Sequence, residues 1–476
     1  HDHEKAFEAY ARSLKEDLRS SDTIQQLFNY ADVLDKWKEL VQVMEEATLD
    51  SDDPEASKNI QCMTAEVYRE RLEDLAGATS TYERVKEQDP EDVEVLNALE
   101  ELYREQESWK PLTKILISKA DLSQDSNERK QLLFQAASIH EEVLQDVEAA
   151  VAIHRDVLAD EAGDPLALDS LERLYTGQEN WTSLLEVYNA KIDNADSDDA
   201  RIALYYQVGA LQEEKTVDNV GAIETYQQVL SINPQDELAL ESLDRLYSSG
   251  EDWTNLLDIL ERREQLSSED EQKVVYRYRQ AQSWHRNLDD LSRAIEVYRS
   301  VLELDSEHVE SIKALEEIIS LGGDNAVEAA KVLQPVYQSL ERWKELVAVY
   351  EVLAANSTDP DELIHLLGSI GTIEEDLLND QKAAFNAWYR ALTKDASREE
   401  SWAVVERLAE AGSYWEELVG LLDELLTEVS GDPSLGVIVA THMARIYEEE
   451  LQNPDKAIEM LRRVLDFDPS ERQAIK

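Results

Sequence analysis

The side chains equipped for chemistry are eight histidines, one cysteine and 104 acids among 476 residues. The histidines are His1, His3, His140, His154, His285, His308, His365 and His442, and none falls in an HExxH pattern or a Cys/His ligand spacing. His1 and His3 stand two residues apart, a pair that could hold a metal weakly; a frayed terminus is the simpler account. The acids are so dense that any two resemble a general acid and base, and solvated helix faces explain them. No glycine-rich phosphate loop and no GxSxG elbow occurs. Runs of Asp and Ser recur at 50–53, 121–125, 196–199, 267–270 and 357–361. A calcium loop would need a central glycine and a distal bidentate glutamate, which these lack. They read instead as helix N-caps, with weak cation binding as the alternative. Cys62, placed just before a helix, reads as a buried apolar filler. The sequence therefore offers no catalytic, cofactor-binding or metal-binding residue, and it names no partner-binding residue.

Charge narrows the function classes. With 46 Lys and Arg the formal net charge is −58. Such a surface repels nucleic-acid phosphate and anionic lipid headgroups. No run approaches the roughly 18 apolar residues of a membrane span. A single cysteine forms no internal disulfide and does not decide the compartment. Two readings of the charge stand. It attracts a basic partner, or it keeps the surface soluble in a saline setting. The acids are spread over every part of the chain, which favours the second.

The elements that position these residues are legible from a repeat. Trp37, Trp109, Trp181, Trp253, Trp343 and Trp415 are separated by 72, 72, 72, 90 and 72 residues. A leucine follows each at plus three: Leu40, Leu112, Leu184, Leu256, Leu346 and Leu418. Ten residues before each stands Leu27, Leu99, Leu171, Leu243, Leu333 or Val405. A second register runs through Ala6, Ala78, Ala150, Ala222, Ala294, Ala384 and Ala457, with Tyr10, Tyr82, His154, Tyr226, Tyr298, Trp388 and Leu461 four residues on. Thirteen residues before the later six alanines lies a small residue: Ala65, Ala137, Gly209, Ala281, Gly371 or Ala444. Small residues at paired positions let two helices approach, and the aromatic fills the space beside them. Only 14 Gly and 10 Pro occur, which suits helices joined by short turns. The 72-residue unit divides into two helical hairpins of about 36 residues.

Both hairpins resemble the tetratricopeptide repeat (TPR). Gly209, Ala222, Tyr226 and Pro234 stand where that family has its helix A small residue, helix B alanine, aromatic and closing proline. In the second type, Trp181 matches the turn aromatic and Leu171 and Tyr175 the helix A core. Two departures are clear. The hairpins are longer than the family's 34 residues, and Glu100, Glu172, Asp244 and Glu406 take the small slot of the second type, which predicts looser packing there. The resemblance implies an all-α fold, a right-handed superhelical solenoid, and a non-enzymatic scaffold that presents a concave acidic face to other proteins.

The 90-residue interval predicts an added or extended helix near 318–332, dividing the array into 1–317, 318–332 and 333–476. The chain starts on a helix B and ends on the beginning of a helix A, so it reads as part of a longer array. Expected partners are other proteins, basic segments among them, or copies of itself in a filament or coat. Nucleic acid and direct membrane insertion are not expected, and neither is a cofactor. His154, in the aromatic slot, is expected to pack in the core. The six registered tryptophans are expected there too, as is Trp388, while Trp284 and Trp402 are candidates for exposure.

Overall fold

The computed structural model describes residues 2–49 and 51–470. His1, Asp50 and the helix A start at 471–476 lie outside the described residues. Among the described residues all regular structure is helical, with 26 α-helices. The chain forms two compact units, His1–Pro234 and Gln235–Lys476. The first holds α1 Asp2–Glu16, α2 Ser21–Leu34, α3 Trp37–Leu49, α4 Pro54–Glu70, α5 Leu75–Gln88, α6 Val93–Glu105, α7 Trp109–Leu122, α8 Ser126–Ser138, α9 Val147–Asp160, α10 Pro165–Gly177, α11 Trp181–Asp193, α12 Asp198–Leu211 and α13 Asn219–Ile232. The second holds α14 Glu237–Ser249, α15 Trp253–Leu266, α16 Asp270–Gln282, α17 Leu291–Leu304, α18 Val309–Leu321, α19 Asp324–Ser339, α20 Trp343–Asn356, α21 Pro360–Asp376, α22 Gln381–Lys394, α23 Glu399–Gly412, α24 Trp415–Glu428, α25 Pro433–Arg445 and α26 Pro454–Phe467.

Within each unit, consecutive helices pack as antiparallel hairpins whose core is made by the registered residues. Leu27, Leu99, Leu171, Leu243, Leu333 and Val405 are all buried, as are the leucines three residues after each tryptophan. Burying one such side chain contributes about 1.5–3 kcal/mol, so the pattern repeats because each hairpin must cover its neighbour. The small and aromatic register is equally direct. A Cβ at Gly209 would lie 2.7 Å from the Tyr226 ring, and one at Gly371 would clash with the edge of the Trp388 indole.

The turns between paired helices show why two hairpin types alternate. Each carries one residue at positive φ: Asp35, Glu73, Glu107, Gln145, Glu179, Val217, Glu251, Asp289, Glu341, Asn379, Ser413 and Gln452. Their spacing alternates 38 and 34, widens to 52 across the inserted segment and ends on 39, so the hairpins are not two equal lengths of 36. The shorter type keeps the 34-residue spacing. The longer adds about one helical turn, and four of its six copies place a π-helical turn there, at Ile139–Val143, Gln212–Thr216, Ser283–Asn287 and Ile446–Glu450. After the left-handed residue, the next amide bonds back five residues in the short type (Asn180 to Tyr175, 2.9 Å). It bonds back six in the long type (Asp218 to Gln212, 2.8 Å). In the long type that next residue caps helix B: Asp74, Asp146, Asp218, Asp290, Asp380 and Asn453 each accept from an amide three residues on.

None of the twelve turn residues is glycine, although the left-handed region strains any residue with a Cβ. Val217 is the most strained, because it is β-branched; it is also 74% exposed, so little packing offsets the strain. Val217→Gly is expected to stabilise the chain by about 1 kcal/mol. A urea midpoint that falls in this variant would contradict the assignment.

The inserted segment is one helix. Gly322 and Gly323, at φ 78° and 77° with extended ψ, end α18 and begin α19 in a region open to glycine alone. By the tryptophan register α19 is the helix A of its hairpin, since it carries Leu333 and Tyr337. The added helix is therefore α18, which starts at Val309, earlier than the segment expected from sequence. It packs on α17 and α19, and α19 also touches α17.

Candidate functional site

The acids in the small slot of the short hairpins are ion-paired. Glu100 accepts from Lys119 at 2.6 Å and from Arg104 at 2.9 Å. Glu172 accepts from Lys191, which also reaches Asp169 at 2.6 Å. Asp244, only 4% exposed, takes both terminal nitrogens of Arg279 at 2.7 and 2.6 Å, and Arg263 as well. Glu406 accepts from His442 Nδ1 at 2.8 Å and from Arg445. The expected looseness is thus an ion pair between helices. The signal was present: Lys119, Lys191 and Arg263 each follow the acid by nineteen residues and each other by 72.

Burial alone would push the carboxyls of Asp244, Glu100 and Glu406 up. For Asp244 the hydrogen bonds and charges of Arg279 and Arg263 outweigh it and hold the group below the ordinary carboxylate range. For Glu100 the same balance is struck by Lys119 and Arg104, and for Glu406 by His442 and Arg445. A carboxyl whose folded pKa is depressed stabilises fully above its unfolded value, near 4, and loses that contribution as pH falls through the folded value. The melting temperature is therefore expected to fall between pH 4 and pH 2.5, and less steeply in Asp244→Asn. A melting temperature that still rises below pH 4, as the remaining acids neutralise, would contradict this sign.

A groove of about 590 Å³ lies in the second unit. Helix α21 forms its floor, with Ser369 and Thr372 along it and His365 exposed beside them. Both hydroxyls bond back to carbonyls of their own helix, which leaves them lying flat (Ser369 to His365, 2.8 Å; Thr372 to Gly368, 2.9 Å). Gly368 and Gly371 on the same helix make room for Trp388; a Cβ at Gly368 would stand 3.0 Å from its ring. Trp343 and Tyr350 of α20 supply two more aromatic walls. Arg398 also lines it, held by Asp395 at 3.0 Å and by Asp361, as does the exposed Glu400. A trough that mixes aromatic walls with polar side chains suits an extended side-chain-bearing segment.

The aromatic residues are less uniformly buried than the sequence suggested. Trp37 is buried, but Trp109, Trp181, Trp253, Trp343 and Trp415 begin their helices half-buried. Arg71 lies 4.8 Å over Trp37 and Lys215 lies 5.5 Å over Trp181, so a cation covers what the core does not. Trp388, expected in the core, is half-buried at the groove. Trp402 is 2% exposed, donates to the Ala396 carbonyl at 2.8 Å and stacks on His442 at 3.9 Å. Trp284 is half-buried beneath Arg293, 4.5 Å from its ring. His154 packs in the core beside Phe134. Cys62 lies inside α4, not before it, half-buried, and burial pushes its thiol up to about 11, so it stays protonated at neutral pH. Four of the five Asp/Ser runs cap a helix, through Asp53, Asp125, Ser197 and Asp359; Glu269 in the fifth makes no such bond. Among the described residues no group of three His, Cys, Asp or Glu is arranged to hold a metal, and no helix is long and apolar enough to cross a membrane.

These features define an all-α array of alternating helical hairpins. The family description "Tetratricopeptide repeat" matches residues 441–470, from the last turn of α25 through α26, and the other hairpins repeat the same alternation of helices, so the fold is TPR-like. No curated protein matches it. Solved structures similar to it include the APC/C hetero-tetramer Cut9–Hcn1, at 15% identity, covering 96% of this chain and 95% of that one, with a TM-score of 0.19. Naa15/Naa10 bound to HypK-THB is 14% identical over 100% and 88% of the two chains, with a TM-score of 0.25. The TPR domain of P58(IPK) is 14% identical over 88% and 95%, with a TM-score of 0.22.

Proposed function

We propose that the chain is a non-enzymatic scaffold that holds other proteins, and that the groove on α21 takes an extended segment of one of them. The observation carrying this reading is the trough itself: Trp343, Tyr350 and Trp388 supply apolar anchors, and flat hydroxyls leave the floor open. Aromatic anchors in a desolvated recess commonly dominate binding energy. With a net charge of −58, basic residues flanking the apolar anchor would be attracted to the chain, although the spread of the acids does not single out this groove. Association with such a segment is faster at low salt and weakens as salt rises.

The test is affinity capture from native extract at low and high salt, using the wild-type chain and Ser369→Trp, which fills the trough. A second protein held at fixed ratio by the wild type, and lost in Ser369→Trp with helix content unchanged, is the expected result. Capture indifferent to that substitution, or recovery only of further copies that grow with salt, would overturn it.

A further inference from the structure

The buried carboxylate of Asp244 lies beside a second recess of the same unit, about 670 Å³, bounded by α14, α15 and α16. Arg263 of α15 and Arg279 of α16 both reach it, from different helices. Asp244 is shared between the two guanidinia, and Glu241 and Arg245 also line the recess. Arg279 places its two terminal nitrogens on Asp244, and one of them also meets Ser248 Oγ at 3.2 Å. Arg263 gives one terminal nitrogen to Asp244 and rests its guanidinium 5.0 Å over the Tyr276 ring. A guanidinium carries five N–H donors, so both arginines keep donors beyond those bonds. Ser242 adds a hydroxyl to the wall. Asp244 fixes both side chains in advance, so little ordering remains for a ligand to impose.

The geometry points to a binding site for a phosphate-type oxyanion in this recess, separate from the aromatic groove. A planar carboxylate is satisfied by one guanidinium fork. A tetrahedral oxyanion takes donors from several directions, which two guanidinia on separate helices and a serine hydroxyl provide. The rest of the chain repels anions. At physiological salt the screening length is about 8 Å, so the nearest charges dominate inside the recess. Of these the carboxylates of Asp244 and of the exposed rim residue Glu241 oppose the ligand, while Arg263, Arg279 and Arg245 on the wall favour it.

The experiment titrates the whole chain with inorganic phosphate at 0.15 M salt and follows the Arg263 and Arg279 side-chain N–H signals by NMR. Saturable shifts of both are expected, with acetate at least ten-fold weaker. Glu241→Gln, a change at an exposed position, is expected to tighten phosphate about three- to ten-fold by removing a like charge. Arg279→Gln is expected to weaken it at least ten-fold. A phosphoserine peptide binding more tightly than phosphate would identify a modified protein as the source, and equal binding a small phosphate ligand; both support the site. No saturable shift, acetate binding as well as phosphate, or no gain in Glu241→Gln would overturn it. The last readout holds even where Arg279→Gln fails to fold.

Discussion

Replacing Asp244 by alanine is expected to destabilise the second unit by about 3 kcal/mol, the scale for removing one partner of a buried ion pair. The carboxylate is 4% exposed and is the shared anion of two arginines. Without it two guanidinia face each other across a cavity. Their side chains are 21% and 35% exposed, so water reaches them in part, which keeps the loss below the upper end of that scale. Asp244→Asn keeps an acceptor oxygen and should lose less. Urea unfolding reads the difference directly, and a loss under about 1 kcal/mol for the alanine would mean the pair is ornamental to folding.

Gly371→Ala is expected to cost about 2 kcal/mol, because its methyl group would clash with the edge of the Trp388 ring and force the indole out of its rotamer. Gly420→Ala is the control. It sits in α24 with open space where its Cβ would be, so the same change there should stabilise by up to about 1 kcal/mol. If both substitutions behave alike, the pairing of small residue and aromatic is not what sets the helix approach. Trp388 lines the trough, so an alanine at Gly371 that displaces its indole should also weaken capture of the segment there.

What could be read from sequence follows from what burial demands. Leu99, Leu171 and Leu243 announce themselves because a fully buried position accepts only an apolar side chain. Glycine signalled the end of α18, because Gly322 and Gly323 adopt a conformation closed to other residues. The twelve turns were silent for the opposite reason. They use Glu, Gln, Asp, Asn, Ser and Val in the left-handed region, so no glycine marks them and the 38 and 34 alternation stayed hidden. Glu100 and Asp244 suggested loose packing because Lys119 and Arg263, which pair with them, lie on the next helix, where only a nineteen-residue spacing betrays them. The half-buried tryptophans were overread, since a large aromatic body contributes apolar area without full enclosure. The trough was legible only in part: the pairing of Gly371 with Trp388 stood in the register, but the second glycine, Gly368, and the walls from α20 join it only through packing.

The most direct measurement is hydrogen exchange on the whole chain, alone and with the protein it retains from native extract. The account expects slowed exchange in α21 and in the first turns of α20 and α23, around Trp343, Ser369 and Ser401, with the same segments unprotected in Ser369→Trp. Protection confined elsewhere, or appearing only as the chain associates with itself, would contradict a scaffold that binds through this groove.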